Sequence, residues 1–121
     1  GILKIQRALK NSELVGMLPD QDPGVDGGIM APFFNTKANT MTLLAKITKK
    51  NDLQVLIFWA KRLPRGEGYE LNLEPVDLNR NGDTLEGRVA SMNQCVENLI
   101  RKMPEQYMWS YKRFKSTHSY G

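Results

Sequence analysis

Asp20, Gln21 and Asp22 stand in the run Leu18-Pro19-Asp20-Gln21-Asp22-Pro23-Gly24, directly after the apolar stretch Leu14-Val15-Gly16-Met17-Leu18. If that stretch is a short buried strand, two carboxylates and an amide fall at its carboxyl end, where open α/β sheets place their ligand crevices. There they could orient a substrate hydroxyl or hold a water. The competing reading is a polar turn in which the Asp side chains bond their own backbone. A second cluster, Lys61, Arg62 and Arg65, follows the apolar run Leu53 to Trp59. At the same sheet edge as Asp20 and Asp22 it could clamp a phosphate or carboxylate, while exposed charge at a hairpin tip is otherwise solvation.

Other chemistries lack their residues. Gly24, Gly27 and Gly28 form neither phosphate-binding glycine pattern and read as loop flexibility. His118 is the only histidine, and no acid follows it, so neither a zinc site nor a Ser-His-Asp system assembles around it. No metal or cofactor is expected. Arg113 and Lys115 beside Trp109 are the aromatic and basic mixture that suits single-stranded RNA. Without a supporting motif they read as a packed tail with a solvated edge, and nucleic acid is not an expected partner. Cys95 lies on the apolar side of the last helix and reads as an inert thiol.

The elements that must position these residues follow from hydrophobic spacing. Ile2, Ile5 and Leu9 on one face and Lys4, Arg7 and Lys10 on another predict an amphipathic helix over 2–11. Asp20 to Thr36 reads as a long loop, with Phe33 and Phe34 as apolar contacts holding it down. Asn39 is a candidate N-cap for a helix to Lys50, and Leu53 to Trp59 reads as a strand covered on both sides. Strand, helix and strand then form a right-handed βαβ unit with parallel strands. Pro64 to Gly68 is a turn, and Tyr69, Leu71 and Leu73 alternate with polar residues as an antiparallel edge strand ended by Pro75. Asp83 and Glu86 have capping-box spacing before a helix whose stripe is Leu85, Val89, Met92, Val96, Leu99 and Met103, closed by Pro104. The fold class is α/β: a βαβ unit, an antiparallel edge hairpin and flanking helices. So thin a sheet leaves an edge open, which strands outside the sequence would cover.

The chain has 121 residues, 40% of them apolar and 25% charged, which fits one domain (1–121) and excludes a large autonomous enzyme. Seventeen Lys and Arg against thirteen Asp and Glu give a net charge of +4, which favours anionic partners. One cysteine excludes an internal disulfide, and no run approaches the roughly 18 apolar residues of a membrane span. The piece itself is expected to be soluble. Gly1 reads as a tag scar and 116–121 as a flexible tail. A helical pattern that begins at once suggests a piece of something longer.

Several blocks together resemble the late acyltransferases of lipid A biosynthesis, the lauroyl and myristoyl transferases of Gram-negative bacteria. They are Arg7-x-x-Lys10, Val15 to Gly24, Ala31-Pro32-Phe33-Phe34, Ala38-Asn39-Thr40, and Pro104-Glu105-Gln106-Tyr107-Met108-Trp109-Ser110-Tyr111-Lys112-Arg113-Phe114-Lys115. The resemblance implies a partial glycerolipid-acyltransferase-like sheet and a longer parent, anchored at the cytoplasmic face of the inner membrane by an amino-terminal segment. That parent moves an acyl chain from acyl carrier protein to a hydroxyacyl group of a lipid A precursor, using a His-x-x-x-x-Asp/Glu motif that this sequence lacks. The chain is then the carboxy-terminal half, inactive alone and able to oligomerise through its open edge. By resemblance Asp20, Gln21 and Asp22 line the substrate site, Arg7 lies near the acceptor pocket and Arg62 occupies a basic position after the next strand. Asn35 departs from a common glycine, and Lys37 from a usually apolar residue. Acidic carrier protein and phosphorylated lipid would both be drawn to Lys4, Arg7 and Lys10 and to Lys112, Arg113 and Lys115. The alternative is a noncatalytic module that binds an anionic lipid headgroup or an acidic protein.

Overall fold

Three helices and two antiparallel hairpins make up the computed structural model, which describes residues 1–117. In chain order they are α1 (Ile2–Lys10), β1 (Gly28–Phe33), β2 (Thr36–Met41), α2 (Leu43–Asn51), β3 (Val55–Arg62), β4 (Tyr69–Val76) and α3 (Leu85–Lys102). Single 3-10 turns follow β3 at Pro64–Gly66 and α3 at Pro104–Gln106. His118 and the last three residues lie outside the described residues. The mixed α/β class, the antiparallel β3–β4 hairpin and the flanking helices match the reading from sequence.

The parallel βαβ unit does not form. Leu14 and Leu18 are 99% and 66% exposed, and the segment between them has no ladder partner among the described residues. A strand needs a neighbour for its peptide groups, and here none is available. In its place, β1 pairs with β2 from Gly28 opposite Met41 to Phe33 opposite Thr36. The expected long loop thus contains a hairpin whose turn residues, Phe34 and Asn35, both have positive φ (49° and 61°), as a type I′ turn requires. Asn tolerates that conformation, which lets Asn35 close the turn without a glycine. Phe34 is held there by its backbone N–H donating to Glu97 Oε1 at 2.8 Å and by the Arg101 guanidinium 4.9 Å above its ring.

Because β2 takes Asn39 and Thr40 into the ladder, α2 starts later than the sequence suggested, with Thr42 as its N-cap. β3 is not covered on both sides. From Val55 to Trp59 its residues alternate between half-buried and exposed because one face is turned toward α3 and the other is open, and among the described residues it pairs with β4 alone, from Val55 opposite Val76 to Arg62 opposite Tyr69.

α3 supplies the core. Val96 and Ile100 close on Phe33 and Ala38, and Val89 packs on Ala31 and Ala45, so one helix binds the first hairpin to α2. Burying Phe33, 2% exposed, contributes about 1.5–3 kcal/mol. The N-cap of α3 is Thr84, whose Oγ1 accepts from the Gly87 N–H at 3.1 Å, one residue along from the Asp83 expected. Arg88 stitches α3 to α2, donating to the Ala45 carbonyl at 3.2 Å and to Thr48 Oγ1 at 2.6 Å.

Candidate functional site

The loop from Pro19 to Gly24 is drawn onto β2 by its second carboxylate. Asp22 is 8% exposed and accepts three hydrogen bonds, from the Gly24 N–H at 2.8 Å, Asn39 Nδ2 at 3.0 Å and Ser116 Oγ at 2.6 Å. Its own N–H donates to the Tyr111 hydroxyl at 2.8 Å, and Asn39 Nδ2 also reaches the Gly24 carbonyl at 2.8 Å. Gly24 can close this turn because its φ is +87°, which a side chain would resist. Gly28 is no mere flexible link. A Cβ there would stand 2.5 Å from the Thr40 carbonyl oxygen and 2.6 Å from Asn39 Oδ1, so only glycine lets β1 come this close to the Asp22 partner.

Burial alone would push the Asp22 carboxyl up. The bonds from Ser116, Gly24 and Asn39, with the field of Lys115, outweigh it and hold the group below its ordinary value. The carboxylate therefore stays charged, with three of its roughly four acceptor positions taken by groups of the chain itself.

Arg113 sits beside this cluster, 2% exposed. Its guanidinium donates to the Asn39 carbonyl at 2.6 Å and to Thr40 Oγ1 at 3.0 Å, and lies 5.2 Å over the Phe33 ring. Thr40 Oγ1 accepts a further bond from Asn93 Nδ2 of α3 at 3.0 Å. Burial lowers the Arg113 pKa, against which Tyr107, Tyr111, Asp22 and Asp20 act to keep it charged. Arg113 is thus a core residue and not part of a cationic surface, whereas Lys112 and Lys115 are exposed. The physical cause is the strap 103–117, which folds back onto β2 with Arg113 buried and Phe114 half-buried against the core, while Lys112 and Lys115 on either side are exposed. At the start of the stretch expected as a tail, Ser116 bonds Asp22, and Thr117 Oγ1 donates to the Lys37 carbonyl at 2.6 Å.

What remains open for a ligand is the outer side of this loop. Gln21 is exposed and Asp20 half-buried in the field of Arg113. Arg7 lies exposed on α1, a helix with three cations, no acid and no buried residue. Arg62 ends β3, its side chain exposed and its N–H donating to Gln106 Oε1 at 2.8 Å. Among the described residues no ion pair or hydrogen bond joins Arg7 or Arg62 to Asp20, Gln21 or Asp22. The structure thus gathers the Asp-Gln-Asp loop with Asn39, Tyr111, Arg113 and Ser116. Reading the sequence missed the last four as partners of the loop, although a basic tail carrying this many aromatics is a sign of packing.

Cys95 on α3 is half-buried, and burial pushes its thiol up, which favours the neutral form over the thiolate. No group of three or more His, Cys, Asp or Glu among the described residues is placed to hold a metal ion. No helix among them is long and apolar enough to cross a membrane.

The family described as bacterial lipid A biosynthesis acyltransferase matches residues 1–116. The lipid A biosynthesis lauroyltransferase of Escherichia coli K12 is 35% identical over 111 residues, covering 91% of this chain and 36% of the relative. The palmitoleoyltransferase of the same strain is 34% identical over 121 residues, with 90% and 36% covered. A lipid A biosynthesis acyltransferase of Haemophilus influenzae is 28% identical over 109 residues, with 90% and 34% covered. The chain therefore spans about a third of the length of these relatives.

Proposed function

The chain belongs to the bacterial lipid A biosynthesis acyltransferase family, and from that premise we propose that it is the carboxy-terminal part of a longer acyltransferase. The whole enzyme moves a fatty acyl chain from acyl carrier protein to a hydroxyacyl group of a lipid A precursor at the cytoplasmic face of the inner membrane. This part carries no His-x-x-x-x-Asp/Glu motif, so it is inactive alone. Its work is to present the acceptor side of the site. The observation that carries this reading is the clamp at Asp22, which fixes a loop whose Gln21 is exposed and whose Asp20 is half-buried beside it.

In this reading Asp22 is a positioning residue whose carboxylate is tied to Gly24, Asn39 and Ser116, and Asp20 and Gln21 are the groups that meet a polar acceptor. Arg7 supplies long-range attraction for a phosphorylated lipid or an acidic carrier protein, with Lys4 and Lys10 beside it. Arg62, exposed at the end of β3, is a second cation for the same anionic partners.

Acyl transfer by the full-length enzyme, followed across ionic strength, tests the assignment. Arg7→Ala lowers the rate about 3- to 10-fold at low salt, and the gap closes as salt rises, because exposed charge acts through a screened field. An unchanged rate at low salt removes Arg7 from the site. A second reading, a binding module for an anionic headgroup or an acidic protein, draws on the same acid-free α1. It is favoured if the isolated chain is a monomer that binds anionic vesicles and the full-length protein transfers no acyl group.

A further inference from the structure

The β3–β4 hairpin has two unlike faces. On one, Ile57 and Val76 turn toward α3, and Trp59 meets the Lys102 ammonium at 5.6 Å. On the other, the register sets Phe58 opposite Leu73, Ala60 opposite Leu71 and Arg62 opposite Tyr69. Leu56, Phe58, Tyr69, Leu71 and Leu73 of this second face are 48%, 59%, 66%, 64% and 57% exposed. Five large apolar groups in one plane are an unfilled surface and not scattered exposure.

Both edges of the same hairpin are guarded. Gln106 Nε2 donates to the Ala60 carbonyl at 2.9 Å and its Oε1 accepts from the Arg62 N–H at 2.8 Å, so a side-chain amide fills the outer edge of β3 where a neighbouring strand would bond. Antiparallel alternation then turns Leu56 and its opposite residue, Pro75, to the outer edges, and Pro75 brings no N–H to the edge of β4. A second copy adding edge to edge is blocked at these points, while the flat apolar face has no such protection.

We propose that this face is internal to the longer polypeptide, covered by an apolar layer from the part of it that lies outside residues 1–121. The inference rests on the reading of this chain as a piece of an acyltransferase, and on its spanning about a third of its relatives' length. Size favours the same polypeptide over a second copy. The eight residues of this face are far fewer than the roughly 20–30 residues, about 800 Å² of accessible area, that each partner of a stable complex engages. A layer from the same chain needs no such area, because it does not lose the translational freedom of a separate partner.

Thiol labelling of the full-length protein, with native cysteines replaced, tests this without reference to acyl transfer. Phe58→Cys and Leu73→Cys label at least tenfold more slowly than Glu86→Cys on exposed α3 surface, and all three label alike in urea. Equal rates in the native protein overturn the proposal, as does protection that disappears on dilution, which identifies a second copy as the cover. Should either variant fail to fold, hydroxyl-radical footprinting of the unaltered protein decides. Phe58 and Tyr69 are protected in the native protein relative to the urea-unfolded one, and equal modification in the two states overturns the proposal.

Discussion

Replacing Arg113 with methionine is expected to cost the fold about 3–5 kcal/mol, from the loss of two buried hydrogen bonds from a charged donor at roughly 1.5–3 kcal/mol each. Methionine keeps the length and apolar character of the side chain, so the effect isolates the guanidinium. Three things go with it: the bond to the Asn39 carbonyl, the bond to Thr40 Oγ1, and the cation over Phe33. The carbonyl is left buried without its donor, and the negative groups Asp20 and Asp22 lose the positive charge whose pKa they raise. Arg113→Lys recovers little, because an ammonium cannot span both acceptors as the planar fork does. Urea unfolding at neutral pH measures the difference. A loss below about 1 kcal/mol for Arg113→Met, the range of an exposed ion pair, would return Arg113 to the surface.

Asp22→Ala is the second large effect, about 2–4 kcal/mol, since it removes the acceptor of three donors, the Gly24 N–H, Asn39 Nδ2 and Ser116 Oγ, and releases the strap at Ser116. Asp22→Asn costs less at neutral pH and separates charge from shape. The folded carboxyl titrates below its ordinary value of 3.8. Its contribution is therefore full above the unfolded pKa and is lost as pH falls through the lower folded value. Unfolding followed from neutral to acidic pH should show the unaltered chain losing stability below about pH 5 and Asp22→Asn losing less. Parallel curves for the two would mean that the carboxylate is not held in its charged form.

α1, the β3–β4 hairpin and α3 were legible because each has a repeating pattern of its own, such as the Val89, Met92 and Val96 stripe. The β1–β2 hairpin was not, because its turn is Phe34-Asn35 and not a glycine pair, and because Asn39 and Thr40 look like helix-cap residues when read locally. What puts them in a strand is tertiary: Asp22, Arg113 and Asn93 satisfy their polar groups inside the core. The apolar run ending at Leu18 reads as a strand in sequence, yet has no ladder partner among the described residues, since propensity supplies no neighbour. For the site, the Asp-Gln-Asp loop was legible as polar residues in an apolar context. That one carboxylate would be spent on holding the loop was not, since its partners Tyr111 and Ser116 lie 89 and 94 residues away.

The coding sequence upstream of Gly1 tests the central claim most directly. If the chain is the carboxy-terminal part of an acyltransferase, the frame continues upstream into a histidine with an acid five residues later, preceded by a hydrophobic amino-terminal segment. A start codon immediately before Ile2 would contradict this, leaving a free-standing domain without a catalytic base and favouring the binding module.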